Sequence, residues 1–320
     1  MFPRVQLAHL PTPVEIAPRL ASYLGLKNLY IKRDDLTGLA FGGNKVRKLE
    51  FLVAEALALK AGTLITTGAI QSNHCRQTAA AAAKFGLNCT LVLVGEKPER
   101  TTANLLLDHL FGAKIVWVRN VEDREKILQD SFERAKSNGE KPYLVPYGGS
   151  SPLGVLGYVF ALKELIEQKV KPDWIIFSSS SGGTQAGFVV GARLWKYGGH
   201  LLGISVDQTA VDLSAKVADL AAEASNKMGK TWDFIPEDIQ VNDDYCASGY
   251  GVLTEQEREA ISLFARTEGI LLDPVYTGRA AAGFIDLVRN GFFPMNDRIL
   301  FWHTGGQPAL FADKYINLTR

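Results

Sequence analysis

Short apolar runs rich in β-branched and aromatic residues alternate along the chain with longer stretches of helical period. The runs predicted as strands are NLYIKR, TLITTG, CTLVLVG, AKIVWVR, YLVPYG, DWIIFSSS, HLLGISVD and RILFWHT. The predicted helices between them include KVRKLEFLVAEALALKAG, HCRQTAAAAAKFG, LGVLGYVFALKELIEQK and TQAGFVVGARLWKYG. This alternation favours an α/β fold with mostly parallel sheets covered on both faces. In such folds ligands bind in the loops that follow the strands.

The chain has 320 residues, which favours about two domains. Lys plus Arg number 35 and Asp plus Glu number 34, so we expect neither a nucleic acid nor a membrane as partner. No apolar run reaches the roughly 20 residues of a membrane span, and we see no secretory signal. Cys75, Cys89 and Cys246 are scattered and odd in number, which predicts no disulfide framework or structural zinc and a cytoplasmic location.

Three loops after predicted strands carry polar or glycine-rich segments. In TGAIQSNHCRQTAAAAA, the residues Gln71, Ser72 and Asn73 begin an Ala-rich helix. One Ser or Asn would be an ordinary N-cap, and capping alone remains an alternative for this segment. Three polar side chains exceed what one cap requires, so this helix start is a candidate carboxylate site.

The second loop, IIFSSSSGGTQAGFVVG, runs from a strand through Ser181, Gly182, Gly183 and Thr184 into a helix. Small residues and a helix N-terminus are what a phosphate cradle needs. The segment matches neither the P-loop nor the GxGxxG pattern, and the alternative is a flexible connection. The third loop, FWHTGGQPAL, follows Thr304 and alone is weak evidence for a site.

A lysine, Lys45, stands directly after two glycines and an asparagine in GGNKVRK, where a helix is predicted to begin. Glycines there allow the backbone to approach a ligand closely. A lysine amine, an anion cradle and a carboxylate site together fit pyridoxal 5′-phosphate (PLP), which forms a Schiff base with lysine and needs a partner at its ring nitrogen.

The segments GGNKVRKLEFL, TGAIQSNHCRQTAAAAA, SSGGTQAGFVVGARL, LLDPVYTGRAAAGFIDLVRNG and ILFWHTGGQPALFA resemble the family of D-cysteine desulfhydrases and 1-aminocyclopropane-1-carboxylate (ACC) deaminases. This family belongs to the tryptophan-synthase-β-like PLP enzymes, called fold type II. The resemblance covers essentially the whole chain. It implies two open, twisted α/β domains with PLP between them: a small domain of residues 51–160, and a large one of residues 1–50 and 161–320. It also implies a homodimer.

The resemblance assigns roles to individual residues. Lys45 would form the Schiff base and move the Cα proton, together with the catalytic residues Ser72, Tyr250 and Tyr276. The cofactor would contact Asn44, Lys45, Lys48, Asn73, Ser181, Gly182, Gly183, Thr184, Gln185, Ala186 and Thr304. The substrate would contact Gln71, Ser72, Asn73, His74, Tyr250, Tyr276 and Thr277.

Some of these residues have simpler interpretations. Lys48 could be a solvated helix lysine rather than a phosphate contact, and His74 could lie on the helix surface. A nucleophilic pair of His74 and Cys75 is excluded because adjacent helix residues point about 100° apart. Lys32 and Lys60 lack comparable surroundings and are interpreted as surface residues.

Two positions distinguish members of the family. ACC deaminases carry Glu and Leu where this chain has Thr277 and Thr304, and both threonines match the desulfhydrase pattern. The resemblance therefore implies α,β-elimination of D-cysteine to pyruvate, ammonia and hydrogen sulfide. The alternatives are elimination from another β-substituted alanine such as L-cysteate or an O-substituted serine, deamination of ACC to 2-oxobutyrate, a PLP-binding homologue without turnover, and a nucleotide-binding module.

Overall fold

Two β-sheets organise the protein in the computed structural model, which describes residues 2–318. The strands are β1 (Val14–Ile16), β2 (Asn28–Arg33), β3 (Thr63–Ala69), β4 (Asn88–Val94), β5 (Lys114–Val118), β6 (Pro142–Leu144), β7 (Trp174–Ser179), β8 (His200–Ser205), β9 (Val241–Asn242) and β10 (Arg298–His303). The larger sheet has the order β1-β2-β10-β7-β8-β9, and the smaller has the order β5-β4-β3-β6.

All neighbouring strands run parallel except β1, which pairs antiparallel with β2. The predicted α/β class with mostly parallel sheets is therefore confirmed. The strand predicted from YLVPYG is shorter than expected. It ends at Leu144, because Pro146 has no N–H for a ladder and the chain turns through Tyr147–Gly149. Strands β1 and β9 were not predicted, since three or two residues carry no readable period.

Helices follow most strands and cover the sheets. They are α1 (Pro18–Leu24), α2 (Asn44–Ala58), α3 (Asn73–Lys84), α4 (Ala103–Leu110), α5 (Arg124–Ser137), α6 (Pro152–Glu167), α7 (Gly183–Trp195), α8 (Ala210–Lys227), α9 (Glu255–Glu268) and α10 (Thr277–Arg289). Within residues 2–318, no helix has both the length and the apolar character that crossing a membrane requires.

The main core lies where α2, α6, α7 and α8 pack on one another. Buried side chains there include Leu49, Val155 and Val190. A Cβ atom on Gly157 of α6 would lie only 2.7 Å from the carbonyl group of Arg47 in α2. This glycine therefore lets the two helices approach closely, which fixes the position of α2 against the rest of the core.

The four strands of the smaller sheet all lie between residues 63 and 144. The predicted domain boundaries at residues 50/51 and 160/161 fall inside α2 and α6, so these two helices connect the parts of the chain that carry the two sheets. The division into domains at those residues stays a prediction.

A buried ionic network anchors α2 and contradicts one prediction. Lys32, interpreted from the sequence as a surface residue, is fully buried in β2, and its Nζ donates to Glu164 at 2.6 Å. Arg47 of α2 is paired with Glu164 at 3.0 Å and with Asp34 at 2.7 Å. Lys32 is inside because its carboxylate partner lies on α6, far along the chain, where strand alternation cannot reveal it. Lys60 is exposed, as predicted.

Candidate active site

The loops after β3, β7 and β10 meet the start of α2 at a cavity between the two sheets. This is the usual ligand position in open α/β sheets, at the carboxyl ends of parallel strands. Most residues predicted from the sequence line it together. They are Asn44, Lys45, Ser72, Asn73, His74, Ser181, Gly182, Thr184, Tyr250, Tyr276 and Thr304.

Lys45 reaches the cavity because of an unusual backbone before α2. All four residues at positions 40–43 have positive φ angles, from 48° to 126°. A Cβ atom on Gly42 would lie 2.1 Å from the carbonyl oxygen of Asp35, so no other residue fits there. The turn places Lys45 at the second position of α2, with its side chain at the cavity.

The Lys45 amine is held by weak polar contacts. Its Nζ donates to Asn44 Oδ1 at 3.3 Å, and Asn44 Nδ2 donates to Thr184 Oγ1 at 3.1 Å. Burial lowers the pKa of Lys45 to about 8, although the negative charge of Asp273 opposes the shift. A lysine with a lowered pKa has a larger neutral fraction near neutral pH and is a better nucleophile and base.

Ser72 both caps α3 and lines the cavity. Its Oγ accepts the N–H of Cys75 at 3.2 Å, which is the ordinary N-cap bond. The N–H groups of Asn73 and His74 have no acceptor within the helix, because they belong to its first turn. The capping interpretation therefore holds for Ser72, and the same helix start still offers free donors to an anion.

His74 is a neutral side chain in the cavity wall that donates a hydrogen bond from Nε2. The hydroxyl of Thr66 donates its one proton to the Val145 carbonyl at 2.8 Å, so it must accept from His74 Nε2 at 2.8 Å. The proton thus lies on Nε2, and the buried Nδ1 keeps a lone pair without a partner among the described residues. Burial, Lys45 and Lys48 hold the pKa of His74 well below its usual value.

The predicted phosphate cradle lies at the start of α7. Gly182 is the N-cap, with a φ angle of 81°, and the helix N-terminus is directed to the cavity. The cradle is supported from behind by Ser150, whose Oγ contacts Ser181 Oγ at 2.8 Å and accepts the N–H of Gly183 at 3.2 Å. Ser150, which was not predicted, therefore supports this loop and takes the N–H of Gly183, which does not line the cavity as predicted.

Lys48 is fully buried beneath this cradle rather than solvated. Its Nζ donates to the Gly148 carbonyl at 3.2 Å and to Ser150 Oγ at 3.4 Å. Both acceptors are neutral, so burial and then Lys45 lower the pKa of Lys48 well below its usual value. A phosphate at the cradle would supply the negative charge that this amine lacks, although Lys48 does not itself line the cavity.

Tyr250 and Tyr276 stand together at the cavity. Their hydroxyl oxygens are 2.6 Å apart, and their rings pack edge to face. Burial raises the pKa of Tyr276 well above its usual value, so this hydroxyl stays protonated. Across the cavity, Thr304 Oγ1 contacts Ser178 Oγ at 3.0 Å. Neutral hydroxyl groups therefore line this part of the wall.

Several predicted residues do not line the cavity. Gln71 is bonded to the start of α4, since its Oε1 accepts the N–H of Asn104 at 2.9 Å. Gln185 donates to the Gln240 carbonyl at 2.9 Å, near β8. The N–H of Ala186 is used within the helix, by Gly182 O at 2.9 Å. These contacts correct the predicted direct contacts of Gln71, Gln185 and Ala186. The side chains of Gln71 and Gln185 point elsewhere, and the Ala186 N–H is already taken.

Thr277 also requires a correction. It is fully buried, and its hydroxyl donates to Asp273 Oδ1 at 2.7 Å and accepts the N–H of Asp273 at 2.7 Å. The other oxygen of Asp273 accepts the N–H of Tyr276 at 3.0 Å. Thr277 therefore shapes the turn that carries Tyr276 and does not face a substrate.

Sequence reasoning missed several residues that line the cavity: Ala69, Tyr147, Gly148, Ser178, Ser179, Ser180 and Gly305. The predicted strand YLVPYG includes Tyr147 and Gly148, yet the segment YGGSS that begins there has the Gly and Ser content that identified the other loops. Applying the same criterion there would have found Tyr147 and Gly148. Ser178 and Ser179 belong to β7, and their place in a predicted strand gives no sign that they line a cavity.

These residues fit pyridoxal phosphate on structural grounds. The cavity contains the Lys45 amine, whose pKa is lowered, and the hydroxyl of Thr304. It also contains the anion cradle, behind which the buried Lys48 amine contacts only neutral acceptors among the described residues. With parallel α/β sheets on either side, they define a PLP-dependent enzyme of fold type II.

Comparisons with known proteins agree. The chain matches the family described as "Pyridoxal-phosphate dependent enzyme" over residues 5–305, and it belongs to this family. It is 46% identical to the D-cysteine desulfhydrase of Salmonella typhi, over 97% of this chain and 96% of the relative. A solved ACC deaminase homologue is 39% identical, with a TM-score of 0.91 over 99% of this chain and 96% of that one.

A fungal L-serine ammonia-lyase from Rhizomucor miehei shares the fold, with a TM-score of 0.69 and 17% identity over 97% of this chain and 98% of that chain. The predicted family, fold type and cofactor are therefore confirmed.

Proposed function

We propose that the protein eliminates sulfide from D-cysteine, consuming one water and giving pyruvate, ammonia and hydrogen sulfide. The observation that carries this proposal is the cavity itself, where the Lys45 amine faces a helix start with free donors and a pair of tyrosine hydroxyls. The 46% identity to a D-cysteine desulfhydrase over nearly the whole chain supports the choice of substrate.

In this proposal the chain's own residues hold the cofactor. Lys45 would bond it covalently, the segment 181–184 with Lys48 behind it would hold the phosphate, and Thr304 would lie beside the ring nitrogen. PLP, when bound, accepts the electron pair left on Cα after deprotonation. Thr304 is a neutral hydroxyl paired with Ser178, so a ring nitrogen beside it would be less fully protonated than one beside a carboxylate. A moderate electron sink suits thiolate, which is a good leaving group.

The same residues handle the substrate and its protons. The N-terminus of α3, with Ser72, binds the substrate carboxylate. Lys45 Nζ takes the Cα proton, and its lowered pKa makes the neutral amine available for this. Tyr276 stays protonated and shares a short hydrogen bond with Tyr250. This pair donates a hydrogen bond toward the departing sulfur.

ACC deamination to 2-oxobutyrate is the second candidate, because the ACC deaminase homologue has the same fold at 39% identity. Opening a cyclopropane ring requires a well-placed acid. No carboxylate is among the described residues that line the cavity, which favours elimination from cysteine. Elimination from L-cysteate or an O-substituted serine uses the same groups and is distinguished by experiment.

The decisive experiment is a product screen with the purified, PLP-loaded protein. D-cysteine, L-cysteine, L-cysteate, an O-acyl serine and ACC are each assayed for pyruvate, sulfide and 2-oxobutyrate. We expect sulfide and pyruvate in equal amounts from D-cysteine, and none with Lys45→Ala, which should also lose the visible absorbance of the lysine-bound cofactor. Efficient 2-oxobutyrate from ACC without sulfide from either cysteine would contradict the proposal. A bound cofactor with no product from any substrate would indicate a non-catalytic homologue.

We further propose a cytoplasmic homodimer. The three cysteines are free thiols, which supports a reducing compartment. The apolar side chains of Leu106 and Leu110 on α4 are exposed, and α4 packs against the turn Gln307–Phe311, whose Phe311 is exposed as well. We name these three residues the α4 apolar face. The family resemblance implies a second copy of the chain as partner, and we propose this face for the contact because its apolar side chains are exposed.

A further inference from the structure

Arg76 connects two loops of the cavity from behind. Its side chain is fully buried in α3. Nη1 donates to Asn73 Oδ1 at 2.9 Å and to Asn104 Oδ1 at 2.6 Å, while Nη2 donates to the carbonyl oxygen of Gly42 at 2.9 Å. Burial lowers the pKa of Arg76 to about 10, with Asp108 opposing, so the side chain remains charged at neutral pH.

This contact determines which way the amide of Asn73 faces. A guanidinium group has donors only, so the atom of Asn73 beside Arg76 must be the oxygen. Asn104 Nδ2 donates to the same oxygen at 3.0 Å. The NH2 group of Asn73 is left without a hydrogen-bond partner among the described residues. It lies at the cavity, where a Cβ on Gly306 would be 2.8 Å from it.

We propose that Arg76 and Asn104 are positioning residues that hold the Asn73 amide with its NH2 group toward the cavity, where it donates to the phenolic oxygen of PLP. The inference rests on the proposed place of Asn73 beside the cofactor. The reversed amide would direct an oxygen lone pair at that negatively charged oxygen, and the two would repel each other. Neither Arg76 nor Asn104 touches the cofactor in this arrangement.

The arrangement has a spectroscopic consequence. A donor at the phenolic oxygen stabilises its negative charge and makes the nearby nitrogen, which joins Lys45 to the cofactor, a weaker base. Loss of the donor raises the pKa of this nitrogen. One hydrogen bond to a charged acceptor corresponds to a shift of about one to two pH units. The absorbance of the cofactor-loaded protein, titrated without substrate, measures this pKa directly.

The test compares four variants in that titration. Asn73→Ala removes the donor, so the pKa shift in this variant is the largest one expected. Arg76→Met keeps the length of the side chain but removes one of the two donors to Asn73 Oδ1. Asn104→Ala removes the second donor to this oxygen. Gln77→Met is the matched control. Gln77 Nε2 donates to the same Gly42 oxygen at 2.7 Å, but it has no hydrogen bond to Asn73.

We expect the pKa to rise by about one unit in Arg76→Met, by less in Asn104→Ala, and not at all in Gln77→Met. If Arg76→Met folds and titrates like the parent protein while Asn73→Ala is shifted, Arg76 is merely structural. If Arg76→Met does not fold, Asn104→Ala decides by the same criterion. An unshifted Asn73→Ala also overturns the inference. A parent protein without the visible band would instead contradict the proposed covalent role of Lys45, so the two failures are distinguishable.

Discussion

Lys45 has unusual chemistry because the chain surrounds its amine with neutral groups. Its hydrogen-bond acceptor is an amide oxygen, and the negative charge of Asp273 raises its pKa less than burial lowers it. Burial therefore dominates and lowers the pKa to about 8. The glycines before Lys45 indicated its role from the sequence. The size of its pKa shift depends on the loops after β3, β7 and β10, which bury its amine.

The lowered pKa predicts how Lys45 reacts with pH. Only the neutral amine reacts with an uncharged acetylating ester, so labelling of Lys45 in the cofactor-free protein should rise with pH with a midpoint near 8. Mass spectrometry of the peptide that contains Lys45 measures the extent, and prior loading with PLP should block it. The same peptide from Lys45→Arg gives the background. A midpoint near that of ordinary lysines would contradict the lowered pKa.

Asp108 is a buried carboxyl group that weakens the fold at alkaline pH. It is fully buried in α4, neither oxygen has a hydrogen-bond partner among the described residues, and burial raises its pKa to about 8. The folded protein thus keeps a proton that the unfolded chain releases near pH 4. Stability contributed by this group is complete below about pH 4 and is lost as the pH rises toward 8.

Asp108→Asn removes this dependence. We expect the variant to melt at a higher temperature than the parent protein at pH 8.5 and to gain much less at pH 5, where only the first part of the loss between pH 4 and pH 8 has occurred. Thermal unfolding of the cofactor-free proteins at both pH values measures the difference. An equal effect at both pH values would show that the amide acts through packing rather than through charge.

The start of α3 serves stability and binding through the same side chain. Ser72→Ala should cost about 1 kcal/mol of stability because the cap is lost. It should also lower kcat/KM by about ten- to a hundredfold if the hydroxyl binds the substrate carboxylate. Ser151→Ala is the matched control, since Ser151 caps α6 by the same bond, to the N–H of Gly154 at 3.2 Å, but does not line the cavity. Equal kcat/KM losses in both variants would remove Ser72 from the substrate site.

The turn before α10 is closed by Asp273 and Thr277. Placing a glutamate at position 277 would bury a second carboxylate against Asp273, so Thr277→Glu should destabilise the protein by roughly 3–5 kcal/mol. Thr277→Ser keeps the hydroxyl bonds and should lose far less. Chemical denaturation of both variants tests this. A stable Thr277→Glu variant with new ACC turnover would show instead that the turn rearranges and delivers the acid to the cavity.

Long periodic segments and glycine-rich loops were predictable, whereas side-chain directions and distant partners were not. Lys45, Asn73 and Ser181 reach the cavity because they stand at the junctions between elements, which the sequence marks clearly. Gln185 lies only four residues beyond Ser181, yet the helical turn directs it to β8. Lys32 is buried because Glu164, 132 residues later, lies beside it. Such facts depend on tertiary packing, which no local pattern records.

The assembled molecule leaves the α4 apolar face uncovered, with Leu110 70% and Phe311 67% exposed. If two copies pair through this face, Leu110→Glu should shift the mass measured by light scattering from dimer to monomer, because an unpaired charge would be buried in the interface. Leu59→Glu is the matched control, since Leu59 is 67% exposed but follows the far end of α2. A dimer that survives Leu110→Glu would place the interface elsewhere.

The pairing of β2 with β10 joins residues 270 positions apart in the sequence, such as Asn28 and Arg298, and Asn44 donates its N–H to the carbonyl of Thr304 at 2.9 Å. On a translating ribosome, Lys45 leaves the exit tunnel long before Thr304 has been synthesised. Until then β2 has only β1 beside it, and the wall of the cavity that Thr304 and Gly305 form does not exist. Cofactor capture therefore waits until Thr304 and Gly305 have been synthesised, and a shorter nascent chain presents Lys45 without the pocket that lowers its pKa.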